Sequence, residues 1–133
     1  MGGVERTLAF FRKKGALEQA LLSQKAVQGN RSLAQDLAER VKIKLLKTDE
    51  ILIEQGADEH DVYFILTGWL EISIHGRKVG ARGPGEHVGE TAAILTSLRR
   101  SATVQATGPA VVAKLELAEF KALSKKHTFV WRS

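Results

Sequence analysis

Gly83-Pro84-Gly85-Glu86-His87-Val88-Gly89-Glu90-Thr91-Ala92-Ala93-Ile94-Leu95-Thr96-Ser97-Leu98-Arg99-Arg100-Ser101-Ala102-Thr103-Val104 is the stretch on which the reading of this chain turns. A glycine-rich approach leads into a short turn of helix starting near Gly89 and running through Ile94-Leu95. A polar loop with two arginines follows, and a strand begins at Ala102. The open N-terminus of a short helix gathers unpaired N–H groups and the positive end of a dipole, which suits an anion such as phosphate. A facing arginine adds forked, charge-assisted hydrogen bonds, with Ser101 and the Ala102 N–H as further donors. Glu90 has the wrong charge for phosphate, but it is a good acceptor for a neighbouring hydroxyl such as a ribose 2′-OH.

On either side of this segment the apolar residues alternate or form short runs. Ile51-Leu52-Ile53, Val62-Tyr63-Phe64-Ile65-Leu66, Leu70-Ile72-Ile74 and Val111-Val112 read as strands. Gln55-Gly56-Ala57-Asp58, Thr67-Gly68, His75-Gly76, Gly83-Pro84-Gly85 and Gly108-Pro109 punctuate them. The spacing leaves no room for crossover helices and predicts an antiparallel sandwich or jelly-roll barrel. The first forty residues read as helices, on Val4, Leu8 and Phe11, then Leu17 and Leu21, then Leu33, Leu37 and Val41. Gly15 and Gly29-Asn30 are the expected breaks, and Ser32 with Gln35 the expected capping box. Leu117 to Trp131 reads as helix again, and the natural chain is expected to continue beyond Ser133.

The chain has 133 residues, enough for one domain with a real core. It contains no cysteine, which excludes disulfides, thiolate metal sites and cysteine nucleophiles and fits a cytoplasmic location. The net charge is +5, but residues 1–47 carry ten Lys/Arg against four acids. The basicity therefore belongs to the N-terminal segment and reads as a solvated helical face, so nucleic acid is not the expected partner. No apolar run is long enough to span a bilayer, and no membrane partner is expected. His60, His75, His87 and His127 lack metal-ligand spacing, and no phosphate-cradling lysine loop or serine elbow is present. The expectation is no catalytic residue, no metal and no cofactor in this chain.

Gly89-Glu90-Thr91-Ala92 and Arg100-Ser101-Ala102-Thr103 resemble the phosphate-binding cassette of cyclic-nucleotide-binding domains. Ile53-Glu54-Gln55-Gly56-Ala57-Asp58 resembles that family's early hairpin, and Val62 to Gly68 its strand-turn signature. The interval from Gly89 to Arg100 is similar to the bacterial catabolite-activator type. Thr91 stands where that family usually has a bulky aliphatic residue, and Leu98-Arg99 where many members have proline. The resemblance implies an α+β fold, an antiparallel β jelly-roll barrel with N-terminal helices and C-terminal lid helices. Its division would be a helical segment at 1–42 and a cyclic-nucleotide-binding β-roll with the start of the C-terminal helices at 43–133.

Carried over by position, Glu90 would bind the ribose 2′-OH and Arg100 the cyclic phosphate. Gly89, Thr91, Ala92, Ser101 and Ala102 would line phosphate and sugar. Arg100 is expected to face ligand and solvent when the site is empty, and Arg99 to be a surface neighbour. Ser101, Thr103 and Trp131 are the candidates for the base edge, while Trp69, an aromatic beginning a strand, is either a stacking residue or part of the core or rim.

The ligand implied is a cyclic mononucleotide, and a homodimer or higher oligomer is expected. The helical start, Arg-Arg-Ser-Ala-Thr-Val, Val-Val-Ala-Lys-Leu and the final Val-Trp-Arg resemble sensor domains of bacterial effectors fused to a C-terminal TIR domain. Those effectors, of the Pycsar type, serve antiphage defence with cyclic UMP or cyclic CMP, and their TIR domain hydrolyses NAD. Two alternatives stay open: a cyclic-AMP sensor of a catabolite-activator-type transcription regulator, and a structural domain that mediates oligomerisation.

Overall fold

In a computed structural model, residues 2–131 are described. The elements run α1 (Gly2–Arg12), α2 (Lys14–Leu22), α3 (Arg31–Arg40), β1 (Lys42–Leu46), β2 (Ile51–Ile53), β3 (Val62–Thr67), β4 (Leu70–Ile74), β5 (Arg77–Arg82), β6 (His87–Val88), α4 (Glu90–Ile94), β7 (Thr103–Ala106), β8 (Ala110–Leu115) and α5 (Leu117–Ser124). The strands form two antiparallel four-stranded sheets, in the orders β1-β8-β3-β6 and β2-β7-β4-β5. The pair is a jelly-roll-like sandwich that does not close into a barrel, with helices at both chain ends.

Period-two alternation explains the layers. Along β3, Val62, Phe64 and Leu66 join one apolar cluster with the helices, while Tyr63 and Ile65 face the second sheet. On β8, Val111, Ala113 and Leu115 turn to the helices, and Ala110 and Val112 turn inward. Both faces of the first sheet are thus covered, and so β3 reads as one continuous apolar run. Phe64 and Ile65 are each wholly buried, worth about 1.5–3 kcal/mol apiece. The polar β5 forms because His75 (φ 51°) and Gly76 (φ 77°) make a two-residue turn that folds it back onto β4.

Several local readings need correction. The break between α1 and α2 falls at Lys13, and Gly15 lies inside α2. Asn30, not Ser32, caps α3: its side chain accepts from the Leu33 N–H at 3.1 Å. Gln28 and Gly29 are both in the left-handed region just before it, so the chain enters the helix two residues earlier than a capping box at Ser32 requires. The strand after the cassette begins at Thr103.

The last helix ends at Ser124, and residues 125–131 are irregular. His127 Nε2 meets Asp36 Oδ2 at 2.7 Å, and Val130 N donates to Ala26 O at 2.9 Å. These contacts draw the tail across the N-terminal helices. Thr128 to Trp131 are β-branched or aromatic, which favours an extended course. Phe129 is buried there, its ring stacked on Trp131 with centroids 5.0 Å apart. The side chain of Val4, and Arg132 of the terminal Val-Trp-Arg, lie outside the described residues.

Candidate functional site

A cavity of about 170 Å³ opens at one end of the space between the sheets. Gly89, Glu90, Thr91, Ala92, Arg100, Ser101 and Ala102 all line it, although the sequence separates them into two groups. Two devices bring them together. Gly89 has φ +94°, which turns the chain from β6 into α4, and a Cβ there would stand 2.6 Å from Asp61 O. Only glycine permits both the turn and the close approach. The second device is the Arg100 backbone, whose N–H donates to Ala57 O (2.9 Å) and whose carbonyl accepts from Gly56 N (2.8 Å).

Arg100 is not the open group that the sequence pattern suggests, since it is 5% exposed. Its Nε donates to Glu59 Oε1 (2.7 Å) and its Nη2 lies 2.6 Å from the same oxygen. Nη1 donates to Gly89 O (2.9 Å) and Nη2 to Asp61 O (2.6 Å). The guanidinium therefore braces the 56–61 loop against the Gly89 turn while one side still borders the cavity. A cation held in place in this way would lose little side-chain entropy on pairing with an anion. His60 adds a second brace, its Nδ1 donating to Ala92 O at 2.9 Å.

Glu90 lies half-buried at the start of α4, with Oε1 3.6 Å from His87 Nε2. Burial pushes its carboxyl up, but the neighbouring His87, its own backbone N–H and the Arg82 charge together outweigh that and hold it below its ordinary value. An ionised Glu90 is a pure acceptor, as a hydroxyl partner requires. Arg99 is exposed, as expected of a surface neighbour, and also borders the cavity, where its Nη1 donates to Gly56 O at 3.3 Å.

The base-edge candidates fare differently. Ser101 is in the lining. Thr103 is not, and its hydroxyl accepts from Gln55 N at 3.0 Å. Trp131 lies beyond His87 (ring centroids 4.7 Å) and lines an adjoining cavity instead. Trp69 is 55% exposed and lies on Gly83, where a Cβ would meet its ring at 2.7 Å, so it is neither core nor part of the cavity lining. No residue of α5 lines the cavity.

Sequence reasoning missed Glu59, His60, Asp61 and Arg82. The first three follow the Gly56 turn with no motif of their own, and only the fold shows that they reach the cassette. No helix among the described residues is long and apolar enough to cross a membrane.

Comparison with known proteins agrees with this geometry. The profile of the cyclic nucleotide-binding domain matches residues 43–127. The chain is 44% identical over 119 residues to the Pycsar effector protein PaPycTIR of Pseudomonas aeruginosa, covering 90% of this chain and 39% of that protein. It is 35% identical over 114 residues to the Pycsar effector protein BcPycTIR of Burkholderia cepacia, covering 86% and 38%. The chain thus spans less than two fifths of the length of these relatives. Among solved structures, cAMP-bound PfPKA-R (141-441) superposes with a TM-score of 0.79 at 22% identity, over 86% of this chain and 41% of that one, a likeness of fold.

Proposed function

Because this chain belongs to the cyclic nucleotide-binding domain family, we propose that it is the sensor domain of a Pycsar-type effector, binding cyclic UMP or cyclic CMP and thereby activating a C-terminal TIR domain that degrades NAD. One observation carries the reading. A fixed guanidinium, a helix start and an ionised carboxylate meet on one cavity wall, where a cyclic phosphate and its adjoining ribose hydroxyl need opposite partners.

In this arrangement the phosphate occupies the end bordered by Arg100 and the Ala102 backbone, with Arg99 beside it. Glu90 accepts from the ribose 2′-OH. The cavity volume of about 170 Å³ falls below the roughly 300 Å³ at which small-molecule pockets usually begin. A single six-membered ring suits that space better than a purine. The names of the two effector relatives favour a sensor that acts on a TIR domain, and ligand binding would act by holding one of two positions of the segments next to the cassette.

Titration calorimetry with cyclic UMP, CMP, AMP and GMP tests the proposal. A pyrimidine nucleotide should bind at least tenfold tighter than cyclic AMP, a gap of about 1.4 kcal/mol. Tightest binding by cyclic AMP would favour a catabolite-activator-type regulator instead. No binding by any of the four would leave a structural domain.

A further inference from the structure

With Arg99 and Arg100 at the phosphate end of the cavity and His87 beside Glu90, Arg82 is the charged residue that borders the apolar part of the wall. Cross-strand register places Ile53 of β2, Val104 of β7 and Ile72 of β4 in a single row across the second sheet, and the next position in that row, on β5, is Gly80. The three aliphatic side chains line the cavity and make an apolar platform. Gly80 has no left-handed φ to account for it. What it provides is space: Arg82 Nη1 lies 3.4 Å from where a Cβ on Gly80 would stand. The guanidinium folds back over the glycine and completes the row, so the platform ends in a cation.

That cation remains available to a ligand. Among the described residues its guanidinium donates from Nη1 to the neighbouring Ala81 O (2.9 Å) and makes no ion pair within 4.0 Å. Arg100, by contrast, is already held by Glu59. Glu86 and Glu90 feel the charge of Arg82 from farther away, and Glu86 is occupied by Lys25 and the Gly83 N–H.

We propose that Arg82 reads the base and selects a ring carrying a carbonyl oxygen at its far edge, making this a uridine-type rather than a cytidine-type site. The proposal rests on the cyclic-nucleotide reading above. A guanidinium has donors only. Opposite the sugar, uracil presents the O4 acceptor where cytosine presents an N4 amine donor. With the phosphate at Arg100 and the ribose at Glu90, the ring lies over the Ile53–Val104–Ile72 row with that edge toward Arg82. An amine there leaves donor facing donor, and binding weakens.

The test measures dissociation constants of cyclic UMP and cyclic CMP by calorimetry on the parent, Arg82→Ala and Arg82→Gln, with thermal melts as a folding control. The parent is expected to prefer cyclic UMP by at least tenfold. Arg82→Ala should bring the ratio within about twofold, chiefly by weakening cyclic UMP. Arg82→Gln, whose amide can both donate and accept, should also narrow it. A parent that binds both nucleotides equally, or an Arg82→Ala protein that keeps the full ratio, overturns the assignment of Arg82 alone. Equal weakening of both nucleotides overturns it too, since it makes Arg82 a phosphate partner. A parent that binds neither overturns the cyclic-nucleotide reading itself, a separate result.

Discussion

Arg100→Ala should damage the protein in two separable ways. The substitution removes the donors to Asp61 O and Gly89 O and the counter-ion of Glu59. A buried carbonyl left without a donor costs about 1–3 kcal/mol. Gly89 borders the cavity, where water can replace the lost partner, so its share lies at the low end. The Glu59 side chain is 34% exposed and can swing into solvent, so the lost ion pair adds at most about 1 kcal/mol. The sum is about 2–5 kcal/mol, against a typical domain stability of about 5–15 kcal/mol. The protein should therefore fold but melt earlier, by about 6–20 °C.

Affinity for a cyclic mononucleotide should fall further, by about 2–5 kcal/mol, because a mostly desolvated anion loses its charge-assisted partner. Urea denaturation followed by tryptophan fluorescence reads the first effect, and calorimetry on the folded protein reads the second. Glu59→Gln separates them. It keeps an acceptor for Nε and leaves Arg100 charged, so it should lower stability by about 1 kcal/mol or less and leave most of the affinity. Unchanged stability in Arg100→Ala would refute the bracing role. Undiminished affinity would refute the assignment of the phosphate to this residue, however far the stability falls.

Gly89→Ala combines a left-handed φ with a Cβ 2.6 Å from Asp61 O, so it should cost more than about 2 kcal/mol in denaturant melts and weaken nucleotide binding sharply. A 2′-deoxy cyclic nucleotide should bind worse than its ribo form by about 1.5–3 kcal/mol. Glu90→Gln should lose less than Glu90→Ala in the same titration, and equal ribo and deoxy affinities would show that Glu90 has another partner. Asp36 is held below its ordinary 3.8 by the His127 hydrogen bond first and that of Lys126 second. A depressed folded-state value means that its stabilisation is complete above about 3.8 and is lost as pH falls through the lower folded value. The gap in melting temperature between the parent and Asp36→Asn should therefore be wide at pH 6 and narrow toward pH 2; a constant gap would contradict the pairing.

Much of this architecture is written in local pattern. Ile51 to Ile53 and Leu70 to Ile74 were legible as strands with their boundaries, and Val62 to Leu66 lacked only Thr67. In each case the apolar residues themselves mark where the strand begins and ends. The same holds for the cassette, because a glycine that must turn left-handed, a helix start and a spaced arginine are adjacent or nearly so in the chain. All seven residues chosen on that basis lie on the one cavity.

Tertiary structure decided the rest. Arg77 to Arg82 has only Val79 and Ala81 as apolar residues, both exposed, and becomes a strand because a left-handed turn lays it on β4. Residues 125–131 leave the helix where Asp36 and Ala26, about a hundred residues away in the chain, supply partners to His127 and Val130. Arg100 is buried for the same kind of reason: Glu59 and Asp61 reach it from another loop, and no spacing rule within the cassette refers to them. Arg82 became a candidate only when cross-strand register set it at the end of the Ile53–Val104–Ile72 row, beside a glycine whose missing side chain gives it room. Local sequence determines where the backbone can turn and which face is apolar. Which charges meet, and which are left for a ligand, depends on contacts between segments distant in the chain, and those exist only once the two sheets have closed on one another.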